Sequence, residues 1–584
     1  MTLPPLIPLR THKLAKSALL ISAIAISLSA CSSKQQMSTP APMAEPSSST
    51  VRQRSPAPVV VVSPMSQAEM ASSAKMVSAD ATGNAVMMSP VVVVDAESRD
   101  NYQDNKPNPV NKTSEMAVAT LSIDTDTGSY ANVRRYLNEG QLPPVDAVRV
   151  EEMLNYFNYQ FADGKRLGNA PFIVATEVVD SPWDRADQDN KIIKVAIKAI
   201  DPNQEVQTAQ QLPPANLVFL IDVSGSMSSS DKLPLAQASL KLLTQQLRAQ
   251  DSVSIVTYSG RTSVALPATS GDQKARITAA IDSLNAAGST NGEDALKLAF
   301  NQAEQARQKK GINRIVMLTD GDFNVGISDV DQMLDLVKAN RDRGISLSTV
   351  GFGRGNLNDY MMEQMANNGN GNYSYIDSLM EAKKVFNDEL AATFDTVAKD
   401  VKIQVEFNPE VVSEWRLIGY ENRVLAEEDF NNDKVDAGEL GAGKAVIALF
   451  EVTPTGQIGL YSERRYDGNK AKVNHKANNK TNELGFLKLR YKAPTGDSSK
   501  LISQAIIDSS QDLNKANSDT QFALAVAGFG QRLSQSQYIN DWKYTDSGKL
   551  AKTSIARQPS SDIEGIRRHF VSLTELASAI DNKN

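Results

Sequence analysis

The sequence predicts an α/β protein: a doubly wound, mainly parallel sheet inserted in a β-rich domain, with N-terminal and C-terminal helical segments. Three observations predict it. Between Asn216 and Ser378 short apolar strands alternate with helices, the rhythm of a parallel sheet covered on both faces. On either side, at 172–200 and 401–491, strands follow one another without that alternation. The chain has 584 residues, too many for one core, and its 41% hydrophobic and 22% charged residues are a globular mixture. A formal net charge of −7 excludes a basic nucleic-acid footprint for the chain as a whole. A single cysteine excludes disulfide staples and Cys-based zinc sites. Three histidines, His12, His475 and His569, leave little for His-dependent chemistry.

Arg10, Lys13 and Lys16 precede Ser17–Ala30, an apolar, uncharged stretch. It is too short to cross a bilayer as a helix and matches the core of an export signal, residues 1–30. It ends in Leu28-Ser29-Ala30-Cys31, which resembles a bacterial lipobox. The resemblance implies cleavage before Cys31 and lipidation of that cysteine. Ser32 and Ser33, rather than Asp, imply an outer-membrane lipoprotein, its periplasmic or surface face left open. Residues 31–115 read as a disordered tether, rich in Ser, Pro, Ala, Met and Val. Such a stretch cannot bury enough apolar surface to offset the entropy of ordering. Its flexible reach is roughly 50 Å.

The folded part begins at 116. Over 116–170, a strand starts at Leu121, and helices are expected at Ser129–Glu139, stopped by Gly140, and at Val148–Tyr159. Strands Phe172–Val179 and Ile192–Ile200 occupy 171–213. Over 214–398, strands at 217–222, 252–258, 312–320, 345–352 and 371–376 alternate with helices, the last a closing helix at 379–398. Over 400–495 the chain is β-rich again, and from Ser498 to 584 it reads as helical. Two strands alone are marginal in water. The expectation is therefore one discontinuous β-rich domain built from 171–213 and 400–495. Backbone pairing between 172–200 and a strand after 400 is its requirement.

The chemistry concentrates at the ends of the parallel strands, where ligands bind in open α/β sheets. Strand 217–222 ends in Asp222-Val-Ser224-Gly-Ser226. Thr290 precedes a helix, and Asp320 ends the 312–320 strand. Together these resemble the metal-ion-dependent adhesion site (MIDAS) of von Willebrand factor A (VWA) domains. The resemblance implies that the Ser224 and Ser226 hydroxyls coordinate Mg²⁺ (or Mn²⁺) directly. It implies Thr290 directly or through water, and Asp222 and Asp320 through water or hydrogen bonds. Hydroxyl ligands leave much of the metal charge unneutralised, so a carboxylate from a partner can complete the shell. Thr127-Gly-Ser-Tyr-Ala-Asn-Val-Arg-Arg-Tyr, the run from Leu142 to Glu152 and Asn155-Tyr-Phe-Asn-Tyr are similar to the bacterial YfbK-like VWA lipoproteins. That likeness runs from about 118 to the end. It implies a VWA-associated region at 116–170 and a characteristic C-terminal domain.

Other motifs fall away. The run Gly438 to Lys444 nearly spells a P-loop, but Ala445 stands where a Ser or Thr should hold Mg²⁺, and a β-like run follows. No nucleotide is expected. Asp429, Asn431 and Asp433 have EF-hand spacing, yet Lys434 and Leu440 occupy the positions of the required Gly and Glu. No G-x-S-x-G nucleophile motif is present, and no enzyme activity is expected. The expected function is a lipid-anchored cell-envelope protein that binds a protein ligand's acidic side chain through a divalent metal. The alternative is a structural scaffold whose MIDAS is non-functional or only stabilises the fold. An envelope hydrolase comes third.

Overall fold

The computed structural model describes residues 99–200, 213–289, 293–321, 330–389, 396–462, 482–496, 498–509 and 511–582. His12, Cys31, Thr290 and His475 lie outside them. Three sheets organise the described chain.

The first sheet runs Tyr373–Ile376, Ser346–Phe352, Ile312–Thr319, Ala215–Asp222, Ser252–Tyr258, Thr262–Ser270. The first five strands are parallel; the last is antiparallel. All eight residues of Ala215–Asp222 are buried, as a central strand requires. Leu217, Phe219 and Ile221 enter one core, Val218 and Leu220 the other. This is the inserted, mainly parallel domain.

The second sheet is antiparallel, in the order Asn111–Lys112, Val412–Ile418, Ala445–Pro454, Lys191–Ala199, Phe172–Asp180, Lys165–Arg166. Strand 191–199 pairs with 445–454 over eight residues, so the strands before and after the insertion share one sheet. The third sheet holds Thr396–Phe407, Glu483–Lys492 and Ser499–Ile507, with Leu440–Gly441 and Val118–Ser122 also on the first of these. Residues Ile193, Val195 and Ile197 face the third sheet, alongside Phe407, Trp415 and Leu487. Their neighbours Ile192 and Ala196 face a helical layer. That layer comprises Gly128–Asn138, Val150–Asn155, Ser518–Leu533, Tyr544–Arg557 and Ile566–Asp581. Phe157 packs edge-on against Phe522, with ring centroids 4.8 Å apart, and Phe522 against Phe570 at 5.5 Å. Lys194 is fully buried on this face, and its ammonium donates to Thr520 Oγ1 at 2.6 Å.

Several sequence expectations change. The end of the 31–115 stretch is not tether: Asp100 bonds the side chains of Arg135 and Tyr136 and the Leu357 N–H, and Asn111–Lys112 forms an edge strand. Polar contacts hold this segment, together with Tyr102, which packs against the buried cluster around Leu357 and Tyr373. The helix expected at 148–159 spans only Val150–Asn155. Beyond it the Gln160 and Phe161 N–H groups turn to the Asp519 carboxylate, which pulls the chain off the helical path. The closing helix 379–398 is α-helical only over Leu379–Lys383, continues as a π-turn over Lys384–Glu389, and gives way to a strand by Thr396. The region from Ser498 begins as an edge strand, Ser499–Ile507, not a helix. One of its faces is exposed, Leu501 at 53%, which blurs the hydrophobic pattern. The edge strand Thr262–Ser270 and the helix Tyr544–Arg557 were not anticipated.

Candidate metal centre

Asp222 closes the central strand at the sheet edge. Register pairs Ile221 with Leu318, so Asp222 comes level with Thr319, and Asp320 follows one residue later at the same sheet edge. The loop after Asp222 is pinned from two sides. The Val223 N–H donates to the Tyr258 carbonyl at 2.9 Å. Ala287 N–H donates to the Val223 carbonyl at 2.8 Å, and Gly225 N–H to the Gly288 carbonyl at 3.0 Å. Gly288 has φ +90°, a left-handed turn that suits glycine. The loop leading to Thr290 is thus brought against the Ser224 loop as far as Ser289.

Asp222 is fully buried, and both carboxylate oxygens accept hydrogen bonds. Oδ1 takes the Ser224 N–H at 2.8 Å, and Oδ2 takes the Thr319 hydroxyl at 3.3 Å. Burial pushes the Asp222 carboxyl up to about 6; these hydrogen bonds pull it down and the Asp320 charge adds to the rise. Ser224 Oγ and Ser226 Oγ stand 2.9 Å apart. Ser224 is buried, and Ser226 is half-buried. Asp320 Oδ2 accepts from the Lys232 ammonium at 2.8 Å, with both side chains buried. Gly321, next in the chain, has φ +96°, and a Cβ there would lie 2.3 Å from the Asn358 nitrogen.

The structure thus brings Asp222, Ser224, Ser226 and Asp320 to one edge. The donor set is hydroxyl and carboxylate oxygen, without sulfur or imidazole, and fits a hard cation such as Mg²⁺ or Mn²⁺. Sequence reasoning missed Lys232, Thr319 and Tyr258. A motif written in oxygen donors carries no signal for a lysine ten residues downstream. Ala445–Pro454 is a strand where a P-loop would need a helix.

A second acidic group lies elsewhere. Asp124, Asp126 and Glu152 are buried, with ligand oxygens within 4.8 Å of one another. Here the oxygens already have N–H partners. Arg423 bonds Asp124 at 3.2 Å and Asp126 at 3.1 Å. Backbone N–H groups of Asp126, Tyr373 and Ser129 bond Asp124, Asp126 and Glu152. Arg149 bonds Glu152 and Asp359. This junction ties the N-terminal region, the inserted parallel-sheet domain and the strand-rich domain together. A cavity of about 260 Å³ beside Asp124 and Arg423 belongs to it, not to the strand edge.

Comparison with known proteins places the chain. The family described as "von Willebrand factor type A domain" matches 216–388, "von Willebrand factor" 96–193, and "Uncharacterized protein YfbK, C-terminal" 392–580. The uncharacterized protein YfbK of Escherichia coli (strain K12) is 47% identical over 486 residues, covering 82% of this chain and 81% of that protein. The chain belongs to the YfbK family. The YfbK-type chain is also 27% identical over 283 residues to inter-alpha-trypsin inhibitor heavy chain H3 of Homo sapiens, 44% of this chain and 31% of that one. A solved structure described as von Willebrand factor type A from Catenulispora acidiphila shares 17% identity over 68% of this chain and 89% of that chain, with a TM-score of 0.38.

Proposed function

We propose that this protein is a non-enzymatic, lipid-anchored outer-membrane lipoprotein whose VWA domain binds an acidic side chain of a protein partner through a divalent cation. One observation carries the metal reading: two hydroxyls 2.9 Å apart, backed by the buried Asp222, at the edge where parallel strands end. Ser224 and Ser226 would hold Mg²⁺ or Mn²⁺ directly, with Thr290 directly or through water. Asp222 orients the Ser224 loop through its backbone N–H, and Asp320 acts through water or hydrogen bonds. When bound, the cation supplies a Lewis-acidic position for a carboxylate. Cross-linking in the envelope with and without chelator tests the partner. The expected result is a protein adduct lost on chelation and lost in Asp222→Ala; an adduct indifferent to both refutes the reading. The anchor is tested by Cys31→Ser. Release from the membrane fraction or stalled processing is expected; unchanged fractionation with no acyl label on the wild type refutes it.

The scaffold reading has one observation in its favour. Asp320 is satisfied by Lys232, so half of the acidic pair at this edge needs no metal to stay folded.

A further inference from the structure

Lysine ordinarily keeps its ammonium in water and buries only its stem. Lys232 does otherwise. Its side chain is 8% exposed and its partner Asp320 is 0% exposed. It stands at the entry to helix Leu233–Gln246, and its stem lies against Gly353. A Cβ at Gly353 would fall 2.3 Å from Lys232 Cγ and 2.5 Å from Cε. Gly353 also has φ +69°, so both space and backbone favour glycine there. A bare backbone face therefore lets the lysine lie flat and reach Asp320.

The charge count at this edge then matters. Asp222 and Asp320 carry two negative charges, and Lys232 returns one positive charge. A divalent cation added to these three groups leaves a surplus of one positive charge. Without the lysine the sum would be zero. The lysine also competes for Asp320, since its ammonium holds Oδ2 at 2.8 Å.

Building on the metal reading above, we propose that Lys232 is a built-in counter-charge that weakens the centre's grip on its cation and keeps that cation electrophilic toward a partner carboxylate. It is a positioning residue: it acts on the cation through Asp320 and through space. The design trades affinity for the metal against affinity for the anion.

Titration of Mn²⁺ into the full chain by calorimetry tests this, with acetate as the carboxylate probe. Lys232→Met should bind Mn²⁺ about tenfold more tightly, because the like charge held 2.8 Å from Asp320 Oδ2 is removed from a part-buried site. The Mn²⁺-loaded variant should bind acetate several-fold more weakly than the loaded wild type. Lys232→Arg keeps the charge and should stay within about threefold of wild type on both counts. Lys232→Gln serves if the Met variant does not fold, since it can still donate to Asp320; the same direction is expected. Wild-type binding that is lost in Asp222→Ala, together with unchanged or weaker Mn²⁺ binding by a folded Lys232→Met or Lys232→Gln, overturns the proposal and leaves the metal reading standing. Equal titrations for wild type and Asp222→Ala overturn the metal reading and this proposal with it.

Discussion

Two carboxylate clusters on one chain have opposite designs. At the strand edge, Asp222 and Asp320 share their space with two hydroxyls and one lysine. At the junction, Asp124, Asp126, Glu152, Asp359 and Glu363 surround Arg149 and Arg423. The junction meets its acids with guanidinium forks and backbone N–H groups, and all five acids are buried. The edge meets only one acid with a cation and leaves neutral hydroxyls beside the other. Acids closed off by arginine act as an internal fastening. Acids flanked by hydroxyls at a sheet edge can still accept something from outside.

The comparison can be broken most severely at Arg149. Arg149→Met leaves Asp359 buried without its guanidinium partner. A loss of about 3–5 kcal/mol in urea denaturation is expected. A loss below about 1 kcal/mol would show that the acids simply take up protons, and the junction would not be a fastening. Gly321→Ala comes next, with a loss of about 1–3 kcal/mol from the φ +96° backbone and the close Asn358 nitrogen. An unchanged thermal midpoint would mean that the edge loops relax freely.

A pH series sharpens the contrast. Burial pushes Glu151 and Glu152 each up to about 8 from 4.5, against the pull of Arg149 on Glu152 and of the Tyr420 N–H on Glu151. A raised carboxyl binds more protons in the folded than in the unfolded chain between those values. Their contribution to stability is therefore present at low pH and is lost as pH rises from about 4.5 through 8. The thermal midpoint should fall between pH 6 and pH 8.5, and Glu152→Gln should flatten that fall. A slope untouched by Glu152→Gln refutes the assignment. The smallest stability effect is expected at Asp222. Asp222→Ala should cost about 1 kcal/mol: the buried Ser224 N–H and Thr319 hydroxyl lose their acceptor, and relief of a carboxylate whose burial disfavours its charge offsets part of that cost. It should nonetheless abolish Mn²⁺ binding in calorimetry. A loss of several kcal/mol would make Asp222 part of the fastening system instead.

Legibility in the sequence follows the same division. The parallel sheet was readable because its strands are continuous apolar runs that end in polar loops, as in Leu217 to Asp222. Asp222, Ser224, Ser226 and Asp320 were readable because they sit at those ends in a compact motif. The junction was not, because its members are scattered from Asp124 to Arg423 and only the fold assembles them. The edge strand Ser499–Ile507 does not read as a strand because two of its five apolar residues, Leu501 and Ile507, are exposed. Lys232 was passed over because a lysine before a helix looks like an ordinary solvated residue.

The shared sheet carries a consequence for the order of assembly. Strand Lys191–Ala199 lies between Phe172–Asp180 and Ala445–Pro454. Its second neighbour leaves the ribosome roughly 245 residues later. At roughly 5–20 residues per second, that delay is on the order of ten to fifty seconds. During it, the inserted domain, whose six strands all lie between Ala215 and Ile376, can complete its own sheet. The hairpin 172–199 must wait with one apolar edge bare, a template for pairing with other chains. A chain stopped before Ala445 is therefore expected to aggregate through that hairpin while keeping a folded inserted domain, which pulse proteolysis of the stalled chain can reveal.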